Sequence, residues 1–413
     1  MNRLIQRVAL FLSALGPGFF LVGYNIGTGS VTTMASAGAN HGTGLMWAVL
    51  VSCVFTYILI VTFGQYTLVT GKTALQSFKM NFGPEMAKLV LWSLIISEMV
   101  SSIGVMAILS EVIHEYSKLF TSSGEGINTV LISVVTGLLV VGLLFNGRYS
   151  FIEKILIVFV TVMGLSFLLS SVLIIQSPSE VLTGMIPSIP EGANAGLIIA
   201  GMIGTTMGGV VYVVRSSTMK EKNWGISNLK MEKRDALVSA GVMFLLSAAI
   251  MAAAAGTLHP LSLKVDNAID MVKLLEPLAG SFAISLFVGG LVAAGLSSLF
   301  PHYILVPMLL SDYQDKKLDL STTKNRMIVI FYAALGLIVP IFGGRPVAVM
   351  IVSQALALLA TPTILVLMWI QLNDKKALGS YAIGLPKNIL IGLITAFTLF
   401  ICVLGFMGIA DLL

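Results

Sequence analysis

Residues 8–36 read VALFLSALGPGFFLVGYNIGTGSVTTMAS, an apolar run whose middle is interrupted by Gly27-Thr28-Gly29-Ser30. A run of this length can cross a bilayer, and every backbone amide inside it has to be hydrogen-bonded within the protein. A helix satisfies those amides, whereas closely spaced glycines favour a break in the helix. The stretch therefore predicts a transmembrane helix that is broken near the middle of the membrane.

The composition of the whole chain is that of an integral membrane protein. Of its 413 residues, 57% are hydrophobic and only 10% are charged, and the mean hydropathy is +0.97. Soluble domains carry about 25% charged residues. The composition excludes a soluble enzyme and a nucleic-acid-binding protein, and it makes the lipid bilayer the expected partner.

The apolar runs and the polar segments between them predict an all-α membrane protein with about eleven transmembrane helices. The eleven spans cover residues 8–36, 43–70, 86–113, 127–146, 151–175, 194–215, 236–258, 278–309, 326–343, 347–371 and 388–410. An odd number of spans places the two termini on opposite sides of the membrane.

The lysines and arginines predict which terminus is inside. Twenty of the 24 lie in segments on the N-terminal side of this topology. The other side carries Lys118, Lys264, Lys273 and Arg345. Because basic residues concentrate in cytoplasmic loops, we expect a multi-pass protein of the plasma membrane with a cytoplasmic N-terminus and an external C-terminus.

A second interruption, Met207-Gly208-Gly209, falls at mid-membrane in span 6. Spans 1 and 6 are equivalent if spans 1–5 and 6–10 are two halves, and matched interruptions are a pointer to a transporter binding site. The pattern predicts one transmembrane domain, 1–413, with repeats at about 8–175 and 194–371 and an extra helix at about 388–410. The alternative is that these glycines only allow helices to pack closely.

Several motifs in order along the chain resemble the Nramp family. A stretch that begins at Gly16-Pro17-Gly18 continues through Tyr24 and Ala37-Gly38 to Leu45-Met46-Trp47. Further matches are Ile186-Pro187-Ser188-Ile189-Pro190, Ala294-Gly295-Leu296-Ser297-Ser298, and Ser353-Gln354 with Pro362. The resemblance implies a proton-coupled divalent-metal transporter with a leucine-transporter-like 5+5 inverted repeat plus one extra helix.

The resemblance also marks where this chain departs from the family. The family's Asp-Pro-Gly-Asn, whose Asp and Asn bind the metal, falls on Gly27, Thr28, Gly29 and Ser30. The family's Ala-x-x-Met-Pro-His falls on Gly204-Thr205-Thr206-Met207-Gly208-Gly209, so Met207 remains as a candidate metal ligand. The match therefore indicates a divergent member that lacks the usual Asp and Asn ligands.

The loss of the Asp removes a large electrostatic contribution. One carboxylate at about 4 Å from a dication is worth roughly 8 kcal/mol at an effective dielectric constant of about 20, before desolvation. The remaining candidate substrate contacts are Asn25, Gly27, Thr28, Ser30, Gly204, Thr205, Thr206, Met207 and Gln354.

Three functions stay open at this point. A divalent metal ion is the substrate that the resemblance implies for a secondary transporter working by alternating access. The neutral groups at the breaks, and the helix N-termini there, suit a small organic or anionic solute equally well. A non-transporting, sensor-like homologue is the third reading, and the retained hydroxyls argue against it.

Intramembrane charge is sparse. Glu98 falls on the family's acidic position in the third helix, so we expect it to couple transport to protons, the alternative being a carboxyl that only packs the bundle. His302 shows no metal-ligand spacing and is expected to be packed or interfacial. Arg215, at the end of span 6, is expected to reach the interface by snorkelling.

The sequence offers no enzyme chemistry. It contains no catalytic constellation and no phosphate-binding Gly-x-x-x-x-Gly-Lys-Ser/Thr loop. We therefore expect no catalytic residues and no cofactor. The remaining partners are a small solute or ion and a coupling proton or sodium ion, with no nucleic acid.

Overall fold

The structure, a computed structural model, describes residues 16–121, 124–146, 149–174, 178–190, 194–265, 270 and 276–410. These residues form helices and loops, and no strand occurs among them. In chain order the helices are α1 Gly16–Asn25, α2 Thr28–His41, α3 Met46–Thr70, α4 Ala74–Phe82, α5 Pro84–Ser117, α6 Thr129–Phe145, α7 Tyr149–Ile174, α8 Pro178–Thr183, α9 Ala195–Met207, α10 Gly209–Glu221, α11 Leu229–Thr257, α12 Glu276–Tyr313, α13 Thr323–Leu335, α14 Ile338–Phe342, α15 Pro346–Leu359, α16 Thr361–Leu372, α17 Lys375–Leu378 and α18 Leu385–Ala410. Short 3-10 helices lie at Ile226–Asn228, His259–Leu261 and Gly379–Tyr381.

The predicted all-α membrane fold is confirmed. Each predicted span coincides with one long helix or with two consecutive helices, although residues 8–15 of span 1 lie outside the described residues. Within the described part, eight helical segments are long and apolar enough to cross a membrane, and Thr129–Phe145 and Ile157–Leu169 are shorter apolar helices. The count of eleven crossings, the sides of the termini and the repeat boundaries stay predictions.

Both predicted helix breaks are present. The helix α1 ends at Asn25 and α2 begins at Thr28, with Gly27 in an extended conformation between them. The helix α9 ends at Met207, and Gly208 adopts φ −54° and ψ 135° before α10 begins. Because neither conformation can continue a helical hydrogen-bond ladder, each break leaves backbone groups for other partners.

The broken helices lie at the centre of the bundle. An apolar 18-residue stretch of Ala195–Glu221 is completely buried. In Leu385–Ala410 only 33% of the corresponding 18-residue stretch is buried. The helix α2 packs on α11 and α9, and α9 packs on α15 and α18. The long helix α12 packs on both α5 and α7, and all three contact the helices of the first break. The two breaks therefore face each other inside the protein and away from lipid.

Arg215 does not snorkel, so that prediction is wrong. Its side chain on α10 is completely buried, and its Nη2 contacts Glu232 Oε2 at 2.5 Å and also Asp235. Both carboxylates belong to α11 and are themselves buried. A guanidinium can stay buried when carboxylates neutralise it, so this ion pair joins α10 to α11 inside the bundle.

We expect Arg215→Ala to destabilise the protein by about 3–5 kcal/mol, because it leaves two buried carboxylates without their cation. The measurement is thermal or denaturant unfolding of the full chain in detergent. Lys88→Ala is the control, since the Lys88–Glu85 pair is exposed and should contribute little. Equal, small losses in the two variants would contradict a structural role for the Arg215 cluster.

Candidate functional site

A small cavity lies between the two helix breaks. Its lining residues are Tyr24, Asn25, Gly29, Ser30, Gly204, Thr205, Gly208, Ser298, His302, Gln354 and Ala357. Its volume of about 10 Å³ is close to the minimum that admits one water molecule. A cavity of this volume has the size of a single small ion or water molecule and not of an organic molecule.

The cavity brings together part of the predicted site. Five of the predicted substrate contacts line it, namely Asn25, Ser30, Gly204, Thr205 and Gln354. The others, Gly27, Thr28, Thr206 and Met207, are on the same two breaks but are not among the lining residues. Met207 is completely buried, so its sulfur is enclosed by protein in this arrangement.

Threonine hydroxyls satisfy the carbonyls that the breaks release. Thr205 Oγ1 donates to the carbonyl of Asn25 at 3.0 Å, which ties the second break directly to the first. Thr56 Oγ1 donates to the carbonyl of Thr206 at 3.0 Å, and Thr361 Oγ1 to that of Met207 at 3.3 Å. These bonds explain how non-helical backbone is tolerated at membrane depth, where no lipid group could replace them.

Among the residues that line the cavity, Asn25 has a buried polar atom without a hydrogen-bond partner. Asn25 is buried, its Nδ2 contacts Met243 Sδ at 3.0 Å, and its Oδ1 has no hydrogen-bond partner. A buried acceptor without a partner costs about 1–3 kcal/mol. Because Asn25 lines the cavity, a cation or a hydrogen-bond donor placed there would recover that energy.

Gly27, where the motif resemblance places the family's Asp, has no space for a side chain. A Cβ atom added at Gly27 would overlap Ser298 Oγ of α12. The close approach of α12 to the break therefore requires a glycine at position 27. Ser298 Oγ occupies the space that a Cβ atom of residue 27 would take. The sequence alone did not point to Ser298 as a functional residue.

A buried carboxyl group from α5 contacts two residues of the cavity wall. Glu98 is 1% exposed, its Oε1 accepts from Tyr24 Oη at 2.6 Å, and its Oε2 lies 2.5 Å from His302 Nδ1. Glu98 does not line the cavity, but both of its partners do. Glu98 is thus connected to the cavity by contacts with two side chains, one from α1 and one from α12.

His302 is the residue that sequence reasoning missed. It is packed, as expected, but it is also bonded to a carboxylate 204 positions away. No local spacing links the two residues, because they come from separate long helices. The available signal was its place inside span 8, whereas His41 and His259 lie near span ends.

A family model described as Natural resistance-associated macrophage protein-like, or Nramp, matches residues 18–408. The chain belongs to the Nramp family. The match covers both breaks and all five predicted contacts that line the cavity, and it confirms the resemblance drawn from the motifs.

Named relatives of this Nramp chain are transporters. The divalent metal cation transporter MntH of Caldanaerobacter subterraneus is 25% identical over 401 residues, covering 94% of this chain and 90% of the relative. MntH of Acidiphilium cryptum is 22% identical, covering 86% of this chain and 81% of the relative. Nramp and MntH proteins are transporters and not enzymes.

Solved structures show the same fold. A manganese transporter of Eremococcus coleocola, in complex with an aromatic bis-isothiourea substituted compound, superposes with a TM-score of 0.77 at 16% identity, covering 100% of this chain and 88% of that one. A Na⁺-coupled sialic acid symporter in a substrate-bound outward-open state gives a TM-score of 0.63 at 11% identity, covering 95% of this chain and 88% of that one. The Nramp chain therefore has the leucine-transporter-like fold predicted for it.

We expect Gly27→Ala to destabilise the protein by about 1–3 kcal/mol, because the added methyl group overlaps Ser298. The melting temperature in detergent measures the loss, and Ser298→Gly in the same chain should restore part of it. Gly241→Ala is the matched control, since nothing lies within 4 Å of a Cβ added there. A Gly27→Ala protein as stable as the control would show that α12 does not constrain the break.

Proposed function

We propose that this protein is a secondary transporter that carries a divalent metal ion across the plasma membrane by alternating access. The ion occupies the cavity between the two helix breaks. Each predicted repeat, at about 8–175 and 194–371, contributes one break, and the N-terminus faces the cytoplasm. Membership of the Nramp family and the names of the relatives support this substrate class.

The proposal rests on an ion-sized cavity and on the buried carboxylate of Glu98, which contacts His302 of the cavity wall. At about 6 Å and an effective dielectric constant of about 20, one carboxylate stabilises a dication by roughly 5 kcal/mol before desolvation. Glu98 can therefore replace a large part of the charge that Gly27 and Ser30 do not supply.

The contacts on the predicted cytoplasmic side support alternating access. Ser217 Oγ of α10 donates to Asp312 Oδ2 of α12 at 3.0 Å, and Lys220 Nζ lies 3.0 Å from Asp315 Oδ1. A second cavity, of about 620 Å³, lies beside these contacts. Parting of α10 from α12 would open a polar path from the central cavity toward that side.

A second candidate substrate is a small organic or anionic solute. The observation in its favour is that the described residues hold no group of three or more His, Cys, Asp and Glu side chains that could bind a metal. The lining also keeps neutral hydrogen-bonding groups such as Ser30, Thr205 and Gln354. Such a substrate requires the central cavity to widen well beyond its closed volume.

Uptake of Mn²⁺ and Cd²⁺ into proteoliposomes, followed with a metal-quenched internal dye, separates the two substrates. We expect saturable uptake that empty liposomes do not show. No uptake of either ion by protein shown to be folded would reject the metal and favour the second candidate. Imposed proton and sodium gradients in the same vesicles identify the coupling ion.

Glu98→Gln should lower metal uptake at least tenfold, because the amide keeps hydrogen-bonding capacity and removes the charge. Glu115→Gln is the control on the same helix, where Glu115 pairs with Lys118 far from the cavity. Glu98→Gln also tests the predicted role in proton coupling. If Glu98 accepts the coupled proton, the variant should no longer acidify the vesicle lumen. Unchanged uptake and acidification would remove Glu98 from the proposal.

A further inference from the structure

The site contains a histidine arranged as metal ligands usually are. We propose that His302 Nε2 and Asn25 Oδ1 bind the transported ion directly. Glu98 orients the histidine through the contact with its other ring nitrogen, Nδ1. This inference rests on the proposed function and names the ligands of the same site. It moves the principal metal contact from the first broken helix to α12.

The orientation of His302 is the first step. We assign the hydrogen of the 2.5 Å contact with Glu98 to Nδ1 of the ring, because a carboxylate oxygen accepts hydrogen bonds. In this tautomer of the neutral ring Nε2 carries the lone pair, on the other edge of a ring that lines the cavity. Histidines that bind metals commonly donate their second ring nitrogen to a carboxylate in this way, which sets tautomer and orientation.

The carboxylate itself is held in place. Its other oxygen accepts from Tyr24 Oη at 2.6 Å, and the rings of Tyr24 and His302 lie 5.0 Å apart between centroids. The three side chains come from α1, α5 and α12 and are buried or half-buried. The imidazole is therefore positioned before an ion binds, so binding costs little additional side-chain entropy.

Asn25 supplies the oxygen. It stands at the last residue of α1, lines the same cavity as His302, and its Oδ1 is a buried acceptor without a partner. Buried polar groups in folded proteins usually have a partner, and among the described lining residues Asn25 is the one with such an atom. The cavity of about 10 Å³ between these residues has the size of one ion.

The donor set also defines the chemical class of the ion. Imidazole nitrogen suits Fe²⁺, Co²⁺, Ni²⁺ and Zn²⁺, and Mn²⁺ accepts it beside oxygen ligands, whereas Mg²⁺ and Ca²⁺ prefer oxygen alone. Further oxygens on the wall come from Ser30, Ser298 and Gln354. We therefore expect the site to select transition metals over the two abundant alkaline-earth ions.

The test measures binding of Mn²⁺ to the full chain in detergent, by calorimetry and by electron spin echo spectroscopy, which detects imidazole nitrogen coupled to Mn²⁺. The main variant is His302→Asn, because its amide nitrogen can keep the bond to Glu98 while the position of Nε2 is lost. We expect the nitrogen signal to vanish and the affinity to fall at least tenfold. The chain has four histidines, and His259→Asn is the control that should keep both.

Two variants of Asn25 are expected to change the Mn²⁺ affinity in opposite directions. Asn25→Asp places a charged oxygen at the same position and should raise Mn²⁺ affinity at least threefold, whereas Asn25→Ala should lower it about threefold. These changes do not depend on how well His302 variants fold. Unchanged affinity in both variants would remove Asn25 from the ligand set.

The outcomes separate this inference from the proposed function. If the protein transports Mn²⁺ and His302→Asn keeps the nitrogen signal and affinity, the ligand assignment fails and the transport function stands. If the folded protein binds neither Mn²⁺ nor Cd²⁺, the metal function fails and the ligand assignment fails with it. An excess of Mg²⁺ or Ca²⁺ that displaces Mn²⁺ would contradict the nitrogen ligand.

Discussion

The structure depends on one constraint, which is that backbone released from a helix inside a membrane has to find partners within the protein. Two helices are broken at the centre of this bundle, and each break exposes carbonyl groups. Hydroxyls of Thr56, Thr205 and Thr361 satisfy three of them. Because Thr205 bonds across to Asn25, the two breaks are held against each other, and the cavity forms where they meet.

Buried ionisable side chains also find their partners within the protein, in two separate clusters. Glu98 is held by Tyr24 and His302 beside the cavity, while Arg215 is held by Glu232 and Asp235 between α10 and α11. In both clusters the partners come from different helices, so each cluster also connects parts of the bundle. The cluster of Glu98, Tyr24 and His302 contains no lysine or arginine, and in our proposal its carboxyl group acts on the substrate ion through His302.

The packing at the first break is consistent with the departure from the family's ligands that the motif resemblance predicts. At Gly27, where the resemblance places the family's Asp, α12 approaches so closely that Ser298 takes the space of a side chain. The same helix carries His302, one turn further along, into the cavity. In our proposal the charge and the principal ligand are therefore supplied from α5 and α12, and the first break contributes Asn25.

The sequence by itself determined the all-α membrane fold, both helix breaks, the family and the position of Glu98 inside a long apolar helix. These features depend on local properties, namely the length of an apolar run, adjacent glycines and a rare intramembrane carboxylate. Only the tertiary structure decided that His302 contacts Glu98, that Ser298 fills the space beside Gly27, and that Arg215 is buried. Each of these is a contact between side chains of separate helices, and hydrophobic patterning specifies that a helix is buried without specifying which residue it meets.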